Sequence, residues 1–539
     1  MIPRSLLPAS ALVLCLAALT ACSRRETPAE RGIRTQTLLV GNYAEPADLD
    51  PQSMNAFTDS QIAYTLFEGL TTLDAKSSRA VPAAADHWSV SPDGTVYVFH
   101  IRAGARWSNG EPVTAEDFVY SFRRILDPAF AAVYSYMLWP IKNAEAFNAG
   151  TLTDFSKVGV RARAPDSLEV TLTQPTPYLP ELAAHTTWLP VHKPVIEKFG
   201  PMNKKGTDWT RPGNLVGNGA FTLAEWVPNA RISVSKNPLY WDAAATRLNE
   251  VQFYPIEKET VEELAYRSGQ LHATNRLPSS KIDVYRRHVP TDLRSDPILS
   301  TGYLILNVTR PPMDNKKLRQ ALARAMDRLA IARDVTQGAY TPAHSLTPPG
   351  CGGYTAAAGI PDDYAEARRL LAEAGYPGGK GLGPIEVQSY TADVSLRMME
   401  AVQAMWHREL GVDITISQIE QKTLFQNGQS GNYVMGTSAW IADYADPSTF
   451  LGTMVTGCGN NWPRWSNAEY DRLIDEASRS PDRGRRFALF QRAEAILLDE
   501  APLIPIYYET QTYAISPAVR GWTTNLMGFH AFNRIWLEK

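Results

Sequence analysis

Several kinds of machinery are missing from this chain. No His-Glu-x-x-His helix, Gly-x-Ser-x-Gly elbow or Gly-x-x-x-x-Gly-Lys-Ser/Thr loop occurs in the 539 residues, so the motifs that place zinc, a serine nucleophile or a nucleotide phosphate are absent. The nine histidines stand singly, and neither a metal nor a cofactor is expected. Charge of one sign is nowhere concentrated. With 53 Lys+Arg against 56 Asp+Glu and no basic tract, a nucleic-acid partner is set aside. No internal repeat or low-complexity segment is found, which excludes solenoid folds. Past the N-terminus no apolar run is long or charge-free enough to cross a membrane. The chain is 44% hydrophobic and 10% aromatic; at this length it can bury large cores in more than one domain.

Cysteine is scarce, with four in all, and each has a reading. Leu19-Thr20-Ala21-Cys22 closes an apolar run that begins after Arg4. A positive start, a short apolar stretch and small residues before the cut make an export signal over residues 1–21. The cysteine at the cut makes it a lipoprotein signal, so the mature chain is expected to begin at a lipidated Cys22. The run is too short and too Ala-rich for a span of ~20 residues. This places the body in the periplasm or another extracytoplasmic space, held to a membrane by its lipid. Residues 22–36, with Arg24, Arg25, Glu26, Pro28 and Arg31, are polar and aperiodic and read as a tether. Cys15 lies in the signal. Cys351 and Cys458 remain, both in Gly-flanked loops, and in an oxidising compartment two left-over thiols are expected to form a disulfide.

The first third of the body reads as strands. Thr95 to Ile101 is β-branched and aromatic, and Asp93-Gly94 before it supplies the turn of a hairpin with Trp88-Ser89-Val90. Thr114 caps a helix, with Asp117 at capping-box spacing. Further on the style changes to alternating helices and strands. Asp362 or Asp363 caps a helix ended by Gly375, then come a strand (Ile385 to Tyr390), a helix (Leu396 to Leu410) and a strand (Val412 to Ile416). That βαβ unit calls for a mainly parallel sheet covered by helices, an α/β fold. Gly378 to Gly383 is Gly-rich, yet it follows a helix end and reads as a loop.

One segment, Val434 to Pro447, resists a purely structural explanation. It begins as a buried strand and then sets acids among apolar residues. Asp446 before Pro447 suits a helix cap. Asp443 has no such account, and a carboxylate at the end of an apolar strand needs a cation or several donors to offset its desolvation. Either an internal arginine or a ligand cation such as an amine would serve.

At these residues the chain resembles the periplasmic oligopeptide-binding proteins of ABC importers, a class of extracellular solute receptors that includes peptide- and nickel-binding members. The match runs from about Leu39 to the C-terminus. It is carried by Glu45-Pro46-x-x-Leu49-Asp50-Pro51, Leu66-Phe67-Glu68-Gly69-Leu70, Trp107 to Ser121, Asn218-Gly219-Ala220-Phe221, Asn237-Pro238-x-Tyr240-Trp241-Asp242 and Trp440 to Phe450. The resemblance implies a three-lobed α/β periplasmic-binding-protein fold with a ligand cleft between two hinged lobes. Lobe I would comprise 37–58, 191–299 and 511–539, lobe II 59–190 and lobe III 300–510. It also implies a monomeric receptor that hands peptides to an ABC permease and does no bond chemistry.

In the family, peptides lie extended on a strand that corresponds here to Ala439-Trp440-Ile441, and the carboxylate that holds the peptide α-ammonium falls on Asp443. Glu45, Tyr120 and Tyr303 correspond to cleft positions, and a cleft Trp falls on Gln421. Trp406, inside the βαβ helix, reads as core. Ser300 and Ile441 stand where the best-known receptors pair cysteines, Thr437 where they have Arg, and Ile305 where they have Glu. Those departures leave peptide length and charge preference open. A metal chelate, a sugar or an opine-like ligand in the same fold is the second reading. An anchored hydrolase is the third, disfavoured because no nucleophile-base set is seen.

Overall fold

The computed structural model describes residues 26–54, 56–391 and 393–539. The signal segment, Cys15 and Cys22 lie outside the described residues. Among the described residues no helix is long and apolar enough to cross a membrane.

Val96–Ile101 alternates half-buried and buried positions and sends Tyr97, Phe99 and Ile101 inward, the period of a strand with one face on a core. It pairs antiparallel with Ala85–Val90, across the Asp93-Gly94 turn, and with Ser167–Thr171. Val160–Ala164 completes a four-stranded sheet. A second four-stranded sheet joins distant parts of the chain: Thr37–Gly41 runs parallel to Glu250–Tyr254, followed by Arg231–Lys236 and Phe221–Val227. Helix Ala115–Leu126 starts at Thr114, whose N–H donates to Asp117 Oδ2 at 2.7 Å. Aspartate thus fills the place where glutamate is usual.

These two sheets share one core. A contiguous cluster contains Leu38 and Val251 from one, Phe99 and Val170 from the other, and Phe118, Phe122 and Trp188 between them. At its charged centre Arg124 meets Asp50, with the two side chains only 0% and 1% exposed. The guanidinium donates to Asp50 Oδ2 at 2.6 Å, to Gln52 Oε1 at 2.8 Å and to the Met202 carbonyl at 2.6 Å. Such a pair survives desolvation only when its hydrogen bonds are filled this completely. It ties together three segments that no strand pairing connects.

The third sheet has six strands, in the order Tyr340–Pro342, Leu503–Ala514, Leu293–Leu306, Met435–Ile441, Ile385–Tyr390, Ile414–Ile419. The last two are parallel, linked by helix Asp393–Leu410, which is the βαβ unit expected above. Helix Tyr364–Glu373 is capped by Asp363, while Asp362 turns to Arg328. Both faces of the sheet are covered, one by a core that includes Leu304, Met435 and Trp406, the other by Tyr303, Phe450, Tyr470 and Leu497. The long strands Leu293–Leu306 and Leu503–Ala514 pair antiparallel along most of their length, with a register shift between Pro297 and Thr301. Beyond that shift they run as a two-stranded ribbon toward the first body, where Ile515 bridges to Ala273.

Two expectations require correction. Where a tether through residue 36 is expected, Pro28–Thr35 is a helix with a complete capping box: Thr27 Oγ1 accepts from Glu30 N–H and Glu30 Oε2 from Thr27 N–H. Gln36 then donates to the Leu537 carbonyl at 2.7 Å, fastening this segment to the C-terminus. Cys351 and Cys458 are free. Their loops are each closed locally, Cys351 in a tight turn with Tyr354 and Cys458 by a bond to the Val455 carbonyl, so glycine freedom serves the turns and no bridge forms.

Breaking the Asp50–Arg124 pair strands a buried charge, which costs ~3–5 kcal/mol. Arg124→Gln is therefore expected to lower unfolding stability by about that amount in urea titration; a loss below about 1 kcal/mol would show that the pair does not brace the shared core.

Candidate ligand-binding site

The strand Met435–Ile441 is paired on one side throughout and on the other only at its start. Leu293–Leu306 covers one edge from Met435 to Ile441, whereas Ile385–Tyr390 pairs only with Met435 and Gly436 and then diverges. Ala442 N–H donates to the Leu299 carbonyl at 2.8 Å. Strand alternation then turns the peptide groups of Ala439 and Ile441 to the open edge. Their side chains are exposed, Ile441 by 60%. An unpaired edge is a ready partner for an extended peptide, and it supplies main-chain bonds that do not read side chains.

Trp440 points to the opposite face and packs on the core around Tyr303. Its indole N–H and the Thr437 hydroxyl are buried without a hydrogen-bond partner, which is uncommon for buried donors. Tyr303 is itself buried, and its hydroxyl meets Ser438 on the neighbouring strand. It supports the strand from beneath.

At the strand's end the two acids separate. Asp446 is buried and takes both arms of Arg486, at 2.5 and 2.6 Å, and it also accepts from Ser448 N–H at 3.0 Å. Asp443 has no such partner: among the described residues no Lys, Arg or His pairs with it. Its carboxylate accepts from the Tyr136 hydroxyl, its own N–H donates to Thr449 Oγ1, and burial pushes its pKa up to about 6. The arginine that sequence reasoning left open thus belongs to Asp446, and Asp443 is left as a half-buried acid without a cation.

Tyr136 lies far from Asp443 in sequence, in the short 3-10 turn Ser135–Leu138 between Tyr134 and Trp139, and it is 38% exposed. The contact is reinforced nearby by Tyr178, stacked on Tyr444 with centroids 4.9 Å apart. Neither tyrosine was singled out from sequence. The available signal was the density of aromatics between Phe130 and Trp139, and an apolar run of that kind reads equally as core.

Beside the open strand lies a cavity of 630 Å³. Phe57, Arg276, Leu299, Tyr340, Ile441 and Glu509 are among its walls, and Asp443 follows one residue after Ala442, which also lines it. The remaining expected positions lie elsewhere. Glu45 accepts from Trp226 Nε1 at 2.6 Å, with its other oxygen buried and unpartnered. Tyr120 packs into the shared core with Lys193 over its ring. Gln421 is an exposed residue at the first turn of helix Gln421–Ser430. The structure does not bring these three to the cavity: Trp226 draws Glu45 away, the shared core absorbs Tyr120, and helix geometry faces Gln421 to solvent. Among the described residues no cluster of His, Cys, Asp or Glu is built to hold a metal ion.

The model of the bacterial extracellular solute-binding proteins, family 5 middle, matches residues 79–462. The periplasmic oligopeptide-binding protein OppA of Salmonella typhimurium is 34% identical over 538 residues, covering 97% of this chain and 96% of that protein. The probable deoxycholate-binding periplasmic protein YgiS of Escherichia coli is 36% identical over 495 residues, 90% of each chain. Among solved structures, the unliganded open form of the periplasmic murein tripeptide-binding protein MppA superposes with a TM-score of 0.84 at 31% identity, over 93% of this chain and 97% of that one.

The raised Asp443 pKa has a consequence for stability. A carboxyl whose pKa lies at 3.8 unfolded and about 6 folded destabilises the native state as pH rises past 4, and the penalty is complete above 6. Asp443→Asn is therefore expected to raise the melting midpoint of the ligand-free protein at pH 8 and to leave it unchanged at pH 3.5. Equal midpoints at both pH values would contradict the desolvated state of Asp443.

Proposed function

The chain belongs to family 5 of the bacterial extracellular solute-binding proteins, and from that premise we propose that it captures peptides outside the cytoplasm and delivers them to an ABC permease, without bond chemistry of its own. One observation carries the reading: Asp443 is a half-buried carboxylate with no cation among the described residues, at the end of a strand whose outer edge is open. A peptide brings what both lack. Its α-ammonium supplies the cation, in a charge-assisted bond about twice as strong as a neutral one, and its backbone fills the edge. Tyr136 holds the acid meanwhile and shares it with the ligand or yields it. Closure of the third lobe on the first would occur about the two-stranded ribbon, whose register shift at Pro297 is a natural flexing point. Relatives named as periplasmic receptors support an extracytoplasmic site of action.

Isothermal titration with short peptides is the direct test. Asp443→Asn is expected to weaken binding about tenfold or more, in line with hydrogen bonds to charged groups, and N-acetylated peptides should lose a similar amount. Because the ammonium needs the ionised acid, affinity should also fall about tenfold per pH unit below 6. Undiminished binding by the variant, or a flat pH profile between 7 and 5, would refute the assignment.

A second reading has its own support. The cavity walls are largely apolar, with Phe57, Leu277, Ile282, Ile298 and Leu299, and one relative is named for deoxycholate. An amphipathic carboxylate held near Arg276 would suit such walls. Native mass spectrometry of the purified protein separates the two: a ladder of peptide masses favours the first, and one discrete small mass favours the second or another non-peptide solute.

Anchoring through Cys22 belongs to the same proposal. Palmitate labelling of the expressed protein should be abolished by Cys22→Ser, with release from membranes; label that persists in the variant would rule the anchor out.

A further inference from the structure

The inference drawn next rests on the peptide reading and asks which peptides the cavity favours. Of the side chains lining it, three are acidic or basic: Glu259, Arg276 and Glu509. Acid outnumbers base, and Asp443 adds a further negative charge just beyond Ala442. No lysine or histidine is on the walls.

Glu509 is the more deeply buried of the two acids. It lies on the long strand Leu503–Ala514, directly opposite Tyr340 in the antiparallel pairing, so both side chains rise from the same face of the sheet. Tyr507, two residues earlier on that face, stacks on Tyr340 with ring centroids 4.6 Å apart. The stack is possible because Tyr507 crosses Gly302, where a Cβ would run into its ring. Glu509 forms no ion pair among the described residues. Burial pushes its carboxyl upward, and the Arg276 guanidinium and Ser300 hydroxyl oppose this only in part. Arg276 is exposed and makes its hydrogen bond through the backbone, to buried Glu262, so its guanidinium can turn to solvent.

A carboxylate beside an aromatic face is a setting that favours ammonium and guanidinium groups. Leu277, Ile282 and Val394 on the walls offer apolar surface to the aliphatic stem that carries such a group. We propose that Glu509, flanked by Tyr340 and with Glu259 on the other wall, forms an acidic subsite for a lysine or arginine side chain of the bound peptide. Arg276 opposes that preference and sets its limit.

The experiment is isothermal titration of the full mature protein with trialanine, with its three single-lysine variants and with the three norleucine counterparts. At one position lysine should bind about tenfold tighter than norleucine, the scale of one charge-assisted contact. In Glu509→Gln that ratio should fall to about one while trialanine affinity changes less than about twofold, and in Arg276→Gln it should rise. A ratio near one at all three positions in the native protein, or a ratio that survives Glu509→Gln, overturns the subsite. The native series stands even if a variant fails to fold, and a cooperative melt checks each variant. Trialanine that binds with a flat lysine series removes the subsite alone; no binding by any of the peptides removes the peptide reading and the subsite together.

Discussion

The pairing of Leu293–Leu306 with Leu503–Ala514 is the constraint on which the site depends. Its register decides which side chains fall on which face of the six-stranded sheet, and a slip of one residue would invert them all. On one face it buries Tyr303 beneath the open strand; on the other it aligns Tyr507 over Gly302 and raises Glu509 beside Tyr340. The same two strands leave the sheet as a ribbon and join the first body, so the geometry of the cavity and the path between the lobes are set by one ladder of hydrogen bonds.

Within that frame, the proposed function turns on where a single arginine is placed. Arg486 is paired with one of the two acids that follow the strand. It satisfies Asp446, which is buried and also caps the next turn, and the neighbouring acid is left to burial and a tyrosine hydroxyl. The core is thereby stabilised, and an acid without a cation among the described residues is left at its edge, where the proposed ligand ammonium would bind. Glu509, on the cavity wall, likewise forms no ion pair among the described residues.

Local features were the legible ones. The strand Ile385–Tyr390 and the cap at Asp363 follow from alternation and capping chemistry, and both are present; the following strand is displaced to Ile414–Ile419, since strand ends are set by the partner and not by propensity. Asp443 was legible because its neighbours are apolar. Tyr136 was not, because nothing in its own surroundings refers to an acid far along the chain. Thr27-Pro28-Ala29-Glu30 carries the cap chemistry of a helix start, but polarity without apolar periodicity reads as a tether. For Cys351 and Cys458 the compartment argues for a bond, whereas each lies unbonded in its own local turn. Glu45, Tyr120 and Gln421 rested on correspondence alone, and correspondence does not say which way a side chain turns.

The common core beneath the first two sheets counts in the entropy of binding. Three lobes joined loosely would have two relative orientations to give up when a ligand arrives. Here the Asp50–Arg124 pair and the aromatic packing around it hold the first two sheets on one core, so a closing motion of the kind proposed would have only the third sheet's body to arrest. Freedom surrendered in advance is freedom the ligand does not have to offset, and a shallow set of main-chain contacts can then hold a flexible solute.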